Sequence, residues 1–190
     1  DQHFALSQFN VPAIDFRFLS SYLITIDSIV SVTFLFLVTL FYRWYGKHWK
    51  QPDELTKMII GAGFSVAGMA CLFMAAATTP PDHKISMFWP MMFELMNSIG
   101  FAHVLPVSLA LFARLAPRAL NATVIGFYYL SFFAANSLIG WLGGFYVTMP
   151  TTTFWLIHAA CAAFAGVVFI AFKLLLAKRL MGDEPAEAPA

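Results

Sequence analysis

The sequence predicts an all-α membrane protein: five full transmembrane helices plus the end of a sixth. Three observations carry this reading. Hydrophobic residues make up 60% of the chain and charged residues only 11%, against roughly 25% charged in a globular protein. Five apolar stretches lie near 18–42, 58–78, 86–112, 122–147 and 153–176. Each supplies the about 20 residues that cross a ~30 Å hydrocarbon core in helical form. Lipid offers no partner to a backbone N–H or C=O, so these stretches are helices rather than open sheet. The chain also opens abruptly. Phe4, Ala5, Leu6 and Phe9 read like the end of a helix already under way, so the chain reads as a fragment.

The elements follow in order. Residues 12–17 form an outside loop. The first full helix runs down to Tyr42 and Trp44, where aromatic rings and Arg43 mark the membrane interface. A polar loop from Gly46 to Gln51 follows. Pro52, Asp53 and Glu54 open the second helix, since proline suits a first turn and carboxylates suit the positive end of the helix dipole. That helix carries Gly61, Gly63, Ser65, Ala67 and Gly68, small residues that let helices approach closely in lipid. Thr79-Pro-Pro-Asp82 stops it. The third helix contains Pro90 and Pro106, each a place to bend. The fourth carries a Gly140/Gly144 packing pair and the aromatic run Phe127, Tyr128, Tyr129, Phe132 and Phe133, which suits a cavity wall, lipid contact or simple packing. Met149-Pro150 turns the chain outside into the fifth helix. Residues 1–177 thus form the membrane bundle. The acidic, proline-containing tail at 178–190 is expected to be solvated and disordered.

Charge orients the bundle. The net charge is +1, which points to no nucleic acid. Arg43, Lys47, Lys50, Lys57, Arg114, Arg118, Lys173, Lys178 and Arg179 fall on one set of alternate loops, and only Arg17 and Lys84 on the other. The positive-inside rule places 43–57, 113–121 and 177–190 in the cytoplasm and 80–85 and 148–152 outside. The expected location is the plasma (inner) membrane, multi-pass, with a cytoplasmic C-terminus. Asn121-Ala-Thr then lies on the wrong side for glycosylation. Cys71 and Cys161 both fall within helices, where free thiols serve as small apolar residues.

There is no glycine-rich phosphate loop, no zinc-ligand spacing and no Gly-x-Ser-x-Gly elbow. No metal and no cofactor are expected, and no enzyme. The chemistry lies in polar groups that membrane helices seldom carry. Asp27 sits about two turns into the first helix and Glu94 about two turns into the third, with His103 after it. Asn97 and Asn136 are neutral but lie in apolar surroundings. Asp27 reads as functional. Glu94 reads equally as functional or as part of a structural pair. His103 reads as a satisfied core histidine, and Asn136 as the donor of an interhelical hydrogen bond. An intramembrane enzyme built on Glu94 and His103 is disfavoured, because nine residues are 2.5 turns and put them on opposite sides of the helix.

The longer motifs resemble a known family. Pro106-Val-Ser-Leu-Ala-Leu-Phe-Ala-Arg-Leu-Ala-Pro117 is similar to the tenth-helix signature of the proton-dependent oligopeptide transporters, Pro-Val-Gly-Leu-Ser through Lys-Leu-Ala-Pro. Gly126-Phe-Tyr-Tyr-Leu130 with Ala134-Ala-Asn136-Ser-Leu-Ile-Gly140 resembles the eleventh helix, Gly-x-Trp-Phe-Leu then Gly-Asn-x-Leu-x-Gly. Pro52 through Lys57-Met58 to Gly61 resembles the entry to the ninth, and Asp1-Gln2 the Glu-Gln of the seventh.

The resemblance implies the C-terminal six-helix bundle of a twelve-helix major facilitator fold. It implies a proton-coupled symporter of di- or tripeptides, driven by the proton gradient. Its partners would be the lipid bilayer, a small peptide substrate and the missing N-terminal half of the same polypeptide. The departures are as telling as the matches. Gapless alignment from Pro106 puts Phe101, after a matching Gly100, where the family carries a glutamate facing the peptide's amino group. Asp27 stands where the family has asparagine, and Tyr128 where it has tryptophan. Glu94 precedes Phe101 by seven residues, nearly the same face and about 10 Å further out. The implied substrate-contacting set is Asp27, Phe101, Glu94, Tyr128 and Asn136, with Asp1, Asp27 and Glu94 as proton-coupling candidates. A carboxyl sheltered from water can carry a proton and, once ionised, hold an ammonium. Other readings left open are a transporter of an amino acid, modified peptide or drug-like compound, and a non-transporting subunit or sensor on the same fold.

Overall fold

The structure, a computed structural model, describes residues 9–10, 20–80, 83 and 85–175. Five long helices dominate it: α1 (Ser20–Tyr45), α2 (Glu54–Thr78), α3 (Phe88–Leu115), α4 (Asn121–Gly143) and α5 (Thr151–Leu175). All five are long and apolar enough to cross a membrane. The chain is an all-α membrane protein. A short 3₁₀ turn, Arg118–Leu120, leads into α4. Two dipeptides, β1 (Phe9–Asn10) and β2 (Ile85–Ser86), form a parallel bridge with Phe9 opposite Ile85 and Asn10 opposite Ser86. Phe9 is therefore extended, not the last turn of a helix. An aromatic residue followed by a short polar one suits a bridge as well as a helix end, so the apolar run could not decide.

The helix ends have local causes. Asp53 caps α2: its carboxylate accepts from the Thr56 N–H at 3.2 Å, satisfying one of the free amides of the first turn. Thr79 closes α2 with its N–H on the Ala75 carbonyl. Pro90 falls in the first turn of α3, where its missing N–H has no partner to lose. Pro106 lies in the interior of α3, beyond its first turn, and it leaves the Ala102 carbonyl without its usual donor.

The centre of the bundle is α2, packed along both α3 and α5, with α1 and α4 laid against α3. Leucine is no less comfortable in lipid than in a helix seam, so close packing must hold the helices together. The α2–α3 seam meets that demand with glycine. A Cβ on Gly61 would lie 2.8 Å from the Gly100 carbonyl, and one on Gly100 would lie 2.7 Å from the Gly61 carbonyl. Gly68 repeats the approach against the Phe93 carbonyl. Further along, Leu55, Met58 and Leu111 are buried under Val104, Val107, Phe169 and Phe172, which joins α2, α3 and α5.

The Gly140/Gly144 pair does not pack in this way. Nothing lies within 4 Å of a Cβ on Gly140, and Gly144 meets only the Trp141 carbonyl of its own turn. Among the described residues α4 touches chiefly α3, so its glycines have no helix to receive.

One end of the bundle is tied by charge. Arg114 Nη2 of α3 meets Glu54 Oε2 of α2 at 2.6 Å, and Lys173 Nζ of α5 meets Asp53 Oδ1 at 2.8 Å and also Thr56 Oγ1. This is the end that carries the basic loops. Burial alone would raise the Asp53 pKa, but hydrogen bonds from Lys173 and Thr56 and the ammonium's charge outweigh it and hold the carboxyl below its ordinary value.

Candidate functional site

The polar seam between α1 and α3 is the candidate site. Both helices run in the same direction and each carries an acid about two turns from its start, followed four residues later by a serine. Residues at i and i+4 share a helical face. Asp27 and Ser31 therefore form one stripe on α1, and Glu94 and Ser98 a matching stripe on α3. The structure lays these stripes against each other. Ser31 Oγ lies 3.5 Å from Asp27 Oδ1 and 3.2 Å from Ser98 Oγ. Ser98 Oγ lies 3.1 Å from Glu94 Oε1. The carboxyls of Asp27 and Glu94 are also close enough to interact directly. Ser98 is 0% exposed, Glu94 is half-buried and Asp27 is open. The ion pairs among the described residues lie at the far end and involve neither acid.

The predicted residues fall into three groups. Asp27 and Glu94, read separately from the sequence, come together. Phe101 lies on α3 nearly in line with Glu94 and is 39% exposed. Tyr128 and Asn136 stand apart on α4. Tyr128 is buried, with its hydroxyl 2.8 Å from Ser108 Oγ and donating to the Leu105 carbonyl at 3.3 Å. Asn136 is exposed, and its amide donates to the Phe132 carbonyl of its own helix at 2.8 Å. The expected interhelical bond is thus replaced by an intrahelical one. Asn136 stands exposed on α4, and the carbonyl one turn back takes its amide. Asp1, with Gln2, lies outside the described residues.

His103 is a satisfied core histidine. It is buried, its Nδ1 donates to the Ile99 carbonyl at 2.8 Å, and its ring sits between Tyr42 and Phe64. It takes no part in the acidic seam. Cys71 and Cys161 are free thiols.

Sequence reasoning missed Ser31, Ser98 and Ser108. For the first two a signal was present, namely an acid and a serine at the same four-residue spacing on two helices. Ser108 offered a different one. It stands where the resembled family's motif has glycine, and Tyr128 stands where it has tryptophan. The two departures are hydrogen-bonded to each other.

The fold and this seam define a multi-pass helical membrane protein with a pair of acids placed between two of its helices. No family model matches the chain. The chain is similar to the peptide transporter YePEPT of Yersinia enterocolitica subsp. palearctica serotype O:3 (strain YE-P4), at 26% identity over 121 residues. That alignment takes in 60% of this chain and 24% of the transporter, so the chain spans about a quarter of the length of the relative it matches.

Proposed function

We propose that this chain forms part of the cavity wall of a proton-coupled symporter for di- or tripeptides. In this reading Asp27 and Glu94 together receive the proton and the peptide's amino group. The observation that carries it is their meeting across α1 and α3. An acid at membrane depth faces a bundle interior or a water-filled cavity, not lipid. Asp27 is open, so the α1–α3 face belongs on a cavity. The similarity to YePEPT supports the transporter class, and the motifs of the resembled family support the peptide substrate and the major facilitator architecture.

The mechanism follows from the chemistry of the pair. An ionised carboxylate attracts an ammonium group, and a protonated one does not. Proton and substrate therefore alternate at one site as two halves of the transporter rock about it. Glu94 takes over the duty of the family glutamate that Phe101 replaces, about two turns further out. Phe101 narrows the pocket below it. Tyr128 presents its ring rather than its engaged hydroxyl, and Asn136 lies on the far wall.

The test is uptake of labelled dialanine into liposomes holding the intact protein, with and without an inward proton gradient. Accumulation is expected only with the gradient. Asp27→Asn and Glu94→Gln should each lower it by about tenfold or more, equivalent to ~1.4 kcal/mol. Absence of uptake in folded wild-type protein would reject the peptide substrate. Full uptake in both variants would move the site elsewhere.

A further inference from the structure

We propose that Ser31 and Ser98 form a proton relay between Asp27 and Glu94, so that the seam holds one proton in either of two places. This rests on the proton-coupled reading above and adds the path the proton takes. The contacts form a chain of four groups: Asp27 Oδ1 to Ser31 Oγ at 3.5 Å, Ser31 Oγ to Ser98 Oγ at 3.2 Å, and Ser98 Oγ to Glu94 Oε1 at 3.1 Å.

Counting hydrogens decides how the chain works. Each of its three links needs one hydrogen, and each hydroxyl supplies one. An ionised carboxylate supplies none. With both acids ionised, both hydroxyls turn outward to the charges, and the central link between Ser31 and Ser98 has no hydrogen. One carboxyl proton completes the chain. If Asp27 carries it, Asp27 donates to Ser31, Ser31 to Ser98, and Ser98 to Glu94. If Glu94 carries it, every donor becomes an acceptor.

Passage from one state to the other is balanced. The Asp27 proton moves to Ser31 Oγ, the Ser31 hydroxyl proton to Ser98 Oγ, and the Ser98 hydroxyl proton to Glu94 Oε1. Three O–H bonds break and three form, and the net change is one proton moved from α1 to α3. Ser98, 0% exposed and bonded to both Ser31 and Glu94, is the sheltered middle of this path, and the direct approach of the two carboxyls is the route it competes with. A relay of this kind lets the open acid, Asp27, meet the proton or the ammonium while its half-buried partner holds the other charge state.

The test separates exchange from accumulation in the intact protein. Counterflow of labelled against unlabelled dialanine needs binding and rocking but no net proton movement. Gradient-driven accumulation needs the proton to move. Ser98→Ala removes one oxygen and adds no bulk, so a purely spacing role for Ser98 predicts no change in either assay. The relay predicts that Ser98→Ala lowers accumulation by about tenfold or more relative to its own counterflow, and that Ser98→Thr, which retains the hydroxyl, restores that ratio. Wild-type accumulation in Ser98→Ala, or joint loss of both activities in folded protein, overturns the relay. Neither result bears on peptide transport by the wild type. Infrared spectroscopy gives a readout that needs no substrate. The C=O stretch of a protonated carboxyl should vanish or move in Asp27→Asn and in Glu94→Gln, and should shift in Ser98→Ala. A band unmoved by Ser98→Ala rejects the relay even where no peptide is carried.

Discussion

The two seams that α3 makes, one with α2 and one with α1, are built from opposite materials. Along α2 the contact is backbone against backbone. Gly61 and Gly100 interlock so tightly that neither has room for a methyl group. Along α1 the contact is made by two hydroxyls and two carboxyls. Close-packed surfaces fit in one arrangement and resist a shift of even one methylene. Hydroxyls rotate, and each can donate or accept. One helix thus carries a fixed seam on one side and a rearrangeable seam on the other. That division suits the transporter proposed above, in which a rigid core would move as one body while the cavity wall changes its charge.

The largest effect should come from breaking the fixed seam. Gly100→Ala places a Cβ 2.7 Å from the Gly61 carbonyl and 2.6 Å from Ser65 Oγ, so α2 must retreat. Overpacking of this kind costs roughly 1–3 kcal/mol. A clear fall in the apparent melting temperature in detergent is expected, and a similar fall for Gly61→Ala. Gly63→Ala and Gly140→Ala, with nothing within 4 Å of either Cβ, should leave it unchanged or slightly raised. A fall for Gly140→Ala in the intact protein would show that another part of the polypeptide packs on α4, and would extend the comparison to a third seam.

That contrast among glycines also shows what the sequence could and could not tell. The five helices were legible because length and hydropathy alone decide whether a segment can cross a bilayer. The ion pairs themselves were not foreseen, but their residues share one end of the bundle. Asp53, Glu54, Arg114 and Lys173 lie on or beside the basic loops that charge counting grouped on one side. Which glycines pack was not legible. Gly61 and Gly140 look alike as residues in apolar helices, and only the neighbouring helix distinguishes them. The same limit applied to the site. Asp27 and Glu94 each stood out as acids in apolar surroundings, yet they are separated by most of two helices, and nothing local announces that they meet. Asn136 shows the opposite failure. Its environment argued for an interhelical bond, but its own helix satisfied it.

A smaller effect tests whether the α3–α4 contact is held by the paired departures from the family motifs. The Tyr128 hydroxyl bonds Ser108, and both reach the Leu105 carbonyl just before Pro106. Tyr128→Phe removes one buried hydroxyl while Ser108 keeps its bond to Leu105. A cost of about 1 kcal/mol is expected, within the usual range for one hydrogen bond. Ser108→Ala in the Tyr128→Phe background should then cost less than it does alone, a coupling visible in a double-mutant cycle. Additive losses would mean that the two hydroxyls act separately and that the ring of Tyr128, not its hydroxyl, holds α4.

The smallest effect concerns the charged end, and its sign can be fixed in advance. The fold holds the Asp53 carboxyl below its ordinary value, so folding favours the ionised form. Its contribution is then present above the unfolded value of about 3.9 and is lost as pH falls through the lower folded value. Both partners are well exposed, Asp53 at 48% and Lys173 at 37% of their side chains, and water screens such pairs to about 1 kcal/mol or less. Asp53→Asn is the informative change, because asparagine caps a helix about as well as aspartate and only the charge is lost. Its melting temperature should lie slightly below wild type at neutral pH, and the two should converge below about pH 4. A gap that persists in acid would assign the loss to the cap geometry at Thr56 rather than to the ion pair with Lys173.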